Sequence, residues 1–125
     1  MMPRARILIC DDEEGVRESL KLILSDHYDV TAAEHGEQAV QHLAQAAYDV
    51  LILDLKMPRM DGIETLGRVR QIAPQLPVLI LTAYQSVDIA KEAIRLGAND
   101  YLSKPFERDE VLSCVDRLLS RSRVT

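Results

Sequence analysis

The chain has 125 residues, 47% of them hydrophobic and 28% charged, with a formal net charge of −5 at pH 7. That length suits one domain around one core, and the apolar fraction is too high for a disordered chain. The acidic balance argues against a nucleic-acid reader, no apolar run approaches the roughly 20 residues of a membrane span, and the start Met1-Met2-Pro3-Arg4 lacks the apolar stretch of a secretory signal. Two cysteines, Cys10 and Cys114, fit no metal-ligand spacing and read as small core thiols of a cytoplasmic protein.

In chain order, Ala5 to Cys10 reads as a strand, and Val16, Leu20, Ile23 and Leu24 follow at helical spacing. Tyr28 to Ala33 is a weaker strand, succeeded by the helical stripe Val40, Leu43, Ala44 and Ala47. Asp49 to Leu53 is the third strand; Ile63, Leu66, Val69 and Ile72 form the third stripe, with Pro74 just past its end. Pro77 to Thr82 is the fourth strand, before a helix carrying Ala90, Ala93 and Ile94 that Gly97 should terminate at C′. Asn99 to Ser103 is the fifth strand, and Val111, Leu112, Val115, Leu118 and Leu119 mark the last helix. The polar segment from Ser120 to Thr125 reads as fraying, so the domain is taken as 1–120, with 121–125 a tail or the start of a linker. Runs one, three and four are nearly continuous in Ile, Leu and Val, as suits strands covered on both faces. Alternating strands and helices mean right-handed βαβ units, hence an α/β, doubly wound, five-stranded parallel sheet with five helices. Function in such sheets gathers beyond the carboxyl ends of the strands.

The residues placed there are distinctive. Strand one ends in Asp11-Asp12-Glu13-Glu14, strand three in Asp54, strand four in Thr82, and strand five in Ser103-Lys104-Pro105. Acids in a helix's first turn are favourable by about 0.3–1 kcal/mol each, which accounts for Glu13 and Glu14 and is an alternative reading of Asp11 and Asp12. It does not explain Asp54. Two carboxylates about 5 Å apart at an effective dielectric near 20 repel by roughly 3 kcal/mol, so such a cluster shifts a pKa or recruits a hard cation such as Mg²⁺. Lys104 alone could be a solvated lysine, and Thr82 an ordinary β-branched strand residue. Taken together they complete a phosphoryl site. Asp54 is then the nucleophile, Lys104 and a metal neutralise oxygens of the transferring group, and Thr82 hydrogen-bonds one of them. The segment from Met57 to Gly62 is a loop in which Pro58 and Gly62 act as turn formers. His27, His35 and His42 lie on none of the strand ends and read as surface residues, so a phosphodonor histidine belongs to another protein.

Four segments in this order, Ile7 to Glu13, Asp54 to Gly62, Leu81 to Tyr84 and Tyr101 to Phe106, resemble the receiver domain of two-component response regulators over essentially the whole chain. The resemblance implies a flavodoxin-like sheet of order 2-1-3-4-5. It implies Asp54 as phosphoacceptor, and Mg²⁺ or Mn²⁺ held by Asp12 and Asp54, with Asp11 acting largely through water and the Lys56 carbonyl as a further ligand. Thr82 and Tyr101 become switch residues, and the Lys104–Pro105 bond cis, although Tyr101 can also be read as a plain core tyrosine. Lys56 and Tyr84, two residues beyond Asp54 and Thr82, border the acyl phosphate and are expected to slow its hydrolysis.

The function expected is a phosphorylation-dependent switch, regulatory and not a turnover enzyme. It is charged by a sensor histidine kinase and acts through the face of the fourth helix, fifth strand and fifth helix, which would dimerise or grip an output domain. The stretch from Ser86 to Tyr101 further resembles receivers of the nitrogen-regulation type, which precede AAA+ ATPase and DNA-binding modules. That implies transcription regulation through a domain absent from this chain, without direct nucleic-acid or membrane binding. A stand-alone receiver is the alternative. A metal-dependent phosphatase is a weaker one, since Lys56 is unsuited to general acid–base work; a flavin site is disfavoured, since the acids after strand one would repel a phosphate.

Overall fold

Five strands and five helices alternate along the chain: β1 (Arg6–Cys10), α1 (Glu14–Leu24), β2 (Asp29–Ala33), α2 (Gly36–Gln45), β3 (Val50–Leu53), α3 (Gly62–Ile72), β4 (Val78–Thr82), α4 (Val87–Arg95), β5 (Asp100–Ser103) and α5 (Arg108–Arg123). They are placed by a computed structural model that describes residues 3–57 and 60–123; the turn role read for Pro58 and the last two residues of the tail lie outside the described residues. Every strand pair is parallel and the order is β2-β1-β3-β4-β5. The expected fold is borne out.

Strand periodicity sorts the core into two layers. Ile7, Ile9, Val50, Ile52, Leu79 and Leu81 pack on one face with Leu20 and Leu24 of α1 and Val111, Val115 and Leu118 of α5. Leu8, Cys10, Leu51, Leu53, Val78 and Ile80 face the other way, against Leu43 of α2, Leu66 and Val69 of α3 and Ala93 of α4. The register sets Ile9 opposite Ile52 and Leu53 opposite Ile80. Fully burying such an aliphatic side chain contributes about 1.5–3 kcal/mol, so these strands carry much of the core's stabilisation.

Each strand begins one residue later than its apolar run. Side chains explain two of these starts: Asp49 Oδ2 accepts from Arg6 N–H (2.7 Å) and Asn99 Oδ1 from Val78 N–H (2.9 Å), so both residues cap a neighbouring strand. Pro77 has no N–H for the ladder. α2 departs further. It buries Gly36, Ala39, Val40 and Leu43, while Ala44 and Ala47 are exposed and the chain turns extended at Ala46. Its stripe therefore begins earlier and ends before Ala47. Ile72 and Ile94 also face outward, Ile94 being 64% exposed, because Val69 and Ala93 take the inward positions. α5 continues to Arg123, through part of the segment read as frayed. Of the three histidines only His27 is exposed; His35 and His42 are half-buried, and His35 Nδ1 faces Gln38 N–H at the start of α2.

The cap signals are clearer. Asp61 Oδ1 accepts from Glu64 N–H (2.9 Å) and Ser86 Oγ from Ile89 N–H (3.2 Å), starting α3 and α4. α4 stops in a Schellman turn, Gly97 N–H to Ile94 O (2.9 Å) and Ala98 N–H to Ala93 O (3.0 Å), with Gly97 at φ +90°.

Candidate functional site

The ladder runs one step beyond the strands and fixes the backbone of the site. Asp11 N–H donates to Ala33 O (3.2 Å), Asp54 N–H to Cys10 O (3.0 Å) and Lys104 N–H to Thr82 O (3.0 Å). Three of these strand-end side chains then use one local device. Asp11 Oδ1 accepts from Glu13 N–H (2.9 Å), Asp54 Oδ1 from Lys56 N–H (3.1 Å) and Thr82 Oγ1 from Tyr84 N–H (3.2 Å). Each oxygen bonds the amide two residues on, a turn that short polar side chains form readily.

This leaves Asp11 Oδ2 and Asp54 Oδ2 facing the ammonium of Lys104, at 2.8 Å and 3.2 Å; Glu13 Oε1 is a third partner at 3.0 Å. Asp11 and Asp54 are 2% and 3% exposed, and Thr82 is fully buried. Burial pushes the Asp11 carboxyl above its ordinary value, although Lys104 and the Glu13 N–H work against it. Burial also works to lower the Lys104 ammonium, but hydrogen bonds to Asp11 and Glu13 outweigh it and hold Lys104 above the usual lysine range. Beneath them the Cys10 thiol is pushed up to about 12, by burial first and then by the Asp11 and Asp54 charges. Both cysteines are buried free thiols, as read.

Asp11, Asp12, Glu13 and Asp54 each offer a carboxylate oxygen, and these oxygens lie within 4.8 Å of one another. The donors are all hard oxygens and one cation, Lys104, faces them, so the set fits a hard divalent ion of the Mg²⁺ class. Glu13 is the member the sequence reading missed. Dipole complementarity at a helix start accounts for an acid there, yet at the N-cap of α1 the Glu13 side chain makes no capping bond and turns to Lys104 instead. Arg17 was also missed: Nη1 donates to Asp11 O (2.8 Å) and Nη2 pairs with Glu34 (3.5 Å), clamping the turn that carries three of the acids.

Tyr101 is half-buried, and its hydroxyl donates to Tyr84 O (2.9 Å). Burial, and secondarily the Asp54 charge, raise its phenol. The Tyr84 peptide is thus held from both sides, its N–H by Thr82 and its carbonyl by Tyr101. Exposed Lys56 and Tyr84 both line a cavity of about 100 Å³ that also touches Met57 and Ile89. The Lys104–Pro105 bond is cis.

The chain matches the family model of the response regulator receiver domain over residues 7–116. It belongs to that family. Among curated relatives, the response regulator MprA of Mycobacterium ulcerans is 42% identical over 120 residues, covering 95% of this chain and 52% of that protein. The response regulator protein FleR of Pseudomonas aeruginosa is 44% identical over 115 residues, covering 90% of this chain and 24% of that one. Among solved structures, Vibrio cholerae chemotaxis protein CheY4 superposes with a TM-score of 0.87 at 33% identity, over 93% of this chain and 99% of that one. Brucella abortus NtrX, solved in complex with ADP, gives 0.90 at 31% identity, over 97% of this chain and 28% of that one. The chain spans about half the length of the MprA relatives it matches.

Proposed function

We propose that this receiver takes a phosphoryl group from the phosphohistidine of a sensor histidine kinase onto Asp54, in a Mg²⁺-dependent transfer, and relays the change to an output. The observation that carries the reading is the convergence of Asp11, Glu13 and Asp54 on the single Lys104 ammonium at the carboxyl edge of the sheet. Asp54 attacks phosphorus; a P–O bond forms as the P–N bond to the donor imidazole breaks, and the ring nitrogen leaves with the bonding pair. Asp12 and Asp54 would hold the cation through their side chains, with Asp11 through water and the Lys56 carbonyl beside them, and the bound ion supplies charge neutralisation at the phosphoryl oxygens.

The chain's own groups do the rest. Lys56 N–H orients the Asp54 carboxylate, and Lys104 moves its charge from the carboxylates to a phosphoryl oxygen. Thr82 turns its hydroxyl toward another, giving up the Tyr84 N–H bond. Loss of that bond frees one side of the Tyr84 peptide, the Tyr101 ring turns inward, and the α4–β5–α5 face changes shape. The new charge biases an element with two arrangements. The acids sit at the carboxyl ends of the strands with Asp12 and Glu13 exposed, which suits a donor imidazole presented by another protein, and Lys56 stands where a turnover phosphatase would need an acid or base. This supports a regulatory phosphoacceptor. The greater length of MprA, FleR and NtrX supports an output in cis; the output proposed is of the transcription-regulating kind, acting in the cytoplasm.

Incubation with acetyl phosphate and MgCl₂ tests this by intact mass. One phosphoryl increment is expected, absent in EDTA and in Asp54→Ala. Equal labelling of the Ala variant would overturn the assignment.

A further inference from the structure

Arg70, on α3, stands apart from the site and serves none of the chemistry above. Its guanidinium is spent entirely on backbone carbonyls. Nε donates to Leu96 O (3.0 Å) and Nη2 to Gly97 O (2.7 Å), while Nη1 reaches Leu76 O (2.7 Å), Ala73 O (3.3 Å) and, longer, Pro74 O (3.5 Å). Burial works against its charge, and no salt bridge among the described residues offsets this. One planar fork therefore ties the last turn of α4 to the segment between α3 and β4. The fit is tight: a Cβ on Gly97 would approach Arg70 Nε to 2.9 Å, and the +90° φ already disfavours any other residue.

α4 is otherwise loosely held. Ala93 is its one buried side chain, and Val87 and Ile94 are 67% and 64% exposed. At its amino end the helix hangs from the β4–α4 loop, whose Tyr84 peptide is gripped by Thr82 and Tyr101. The two ends thus differ in kind. One is bound to groups that move in the proposed function, the other to a guanidinium locked on the far edge of the sheet.

We propose that Arg70 is a positioning residue that makes the Leu96–Gly97 turn the pivot of α4, so that switching swings the amino end of the helix and leaves its carboxyl end in place. The swing rests on the phosphoacceptor reading; the anchor does not. A whole-helix shift would break the two charge-assisted hydrogen bonds to Leu96 O and Gly97 O, whereas a tilt about Gly97 breaks neither, and the three bonds to the α3–β4 segment hold the guanidinium in place. The fork geometry is what matters, since lysine offers a point charge that cannot reach all five carbonyls.

Hydrogen exchange read by mass spectrometry tests both halves on the intact chain, untreated and after acetyl phosphate with MgCl₂, for wild type, Arg70→Lys and Arg70→Gln. In untreated protein, the amides of Leu96 to Ala98 should exchange faster in Arg70→Lys by on the order of ten-fold, with those in β1 and β3 unchanged; Arg70→Gln should go further. Should the Gln variant not fold, the Lys variant decides alone. After phosphorylation of wild type, exchange should change from Tyr84 to Ala90 and stay constant from Leu96 to Ala98, and in Arg70→Lys the change should spread along the whole helix. Equal change at both ends of wild-type α4, or unaltered protection of Leu96 to Ala98 in the untreated variants, would overturn the pivot. If no phosphoryl mass is gained, the phosphoacceptor reading fails by itself, and the untreated comparison still decides the anchor.

Discussion

Replacing Lys104 with Met probes the site directly, because one ammonium faces three carboxylates. At the 4.8 Å limit that encloses the four acidic oxygens, a pair of full charges repels by about 3.5 kcal/mol at an effective dielectric near 20. Breaking a buried ion pair from one side costs about 3–5 kcal/mol. Asp11 and Asp54 qualify as buried, but the Glu13 side chain is 61% exposed and its pairing contributes little. The low end, about 3 kcal/mol, is therefore expected. For a domain of this size it corresponds to a fall in Tm of about 10–15 °C. Thermal melts by circular dichroism at pH 7 in EDTA measure it, with Lys91→Met on the exposed side of α4 as the control that should barely move. Millimolar Mg²⁺ should narrow the gap, since the ion relieves the same repulsion and no longer competes with an ammonium. At ten times its Kd a ligand adds about 1.4 kcal/mol. A Lys104→Met protein that melts within about 2 °C of wild type in EDTA would refute the electrostatic account, because even 1 kcal/mol should shift it further.

Gly62→Ala should destabilise by about 1–3 kcal/mol and slow phosphorylation, because its Cβ would collide with Leu55 Cα and the Asp54 carbonyl. Gly67→Ala, in open space on the same helix, should instead stabilise by up to ~1 kcal/mol; equal urea midpoints for the two would refute the packing argument. Arg117→Met tests the Asp100–Arg117 pair (2.7 Å). Burial works to raise the Asp100 carboxyl, but hydrogen bonds from Arg117 and the Tyr101 N–H prevail and hold it below its ordinary 3.8. Its contribution is therefore present above that pH and lost as pH falls through the depressed value. The stability gap between wild type and variant should exist at pH 6 and close below pH 3.8, and a gap constant from pH 6 to 3 would count against the pairing. Lys56→Asn should shorten the life of the acyl phosphate several-fold, timed by decay of the mass increment; an unchanged rate would remove the screening role.

The fold was legible because the strands carry their own signature. Ile7 to Cys10, Val50 to Leu53 and Val78 to Leu81 are apolar at every position, and only a sheet covered on both faces tolerates that. Helix faces were harder. Ile72 and Ile94 are exposed while Gly36, Ala39 and Thr65 are buried, because small residues let α2 and α3 approach closely, and spacing alone cannot rank a small buried residue over a large exposed one. In the site, Asp11, Asp54, Thr82 and Lys104 were readable as polar residues at the ends of apolar runs. Glu13 was not, since an acid at a helix start has a sufficient local reason to be there. Arg70 and Arg17 carried no signal at all. Arg70 bonds only carbonyl oxygens, which every residue possesses, and Arg17 divides its fork between such a carbonyl and Glu34, 17 residues away, so no local pattern of side chains marks either.

The distribution of the site over the sheet has its own logic. Asp11 and Asp54 continue β1 and β3, whose residues are buried almost throughout, and each is pinned by an amide two residues on. Tyr101 and Lys104 come from β5, an edge strand only half-buried along its length. Four mutually repelling carboxylates can be kept together only by stiff backbone, because the same repulsion would splay them on flexible loops. In the proposed switch Lys104 and Tyr101 gain from the opposite, a strand with a neighbour on one side and solvent on the other. Exchanging the two sets would put the acids on the edge, where they could relax apart, and the moving lysine in the centre, where it could not reorient. The order β2-β1-β3-β4-β5 thus keeps the acids on central strands and sets Lys104 and Tyr101 at the edge of the sheet.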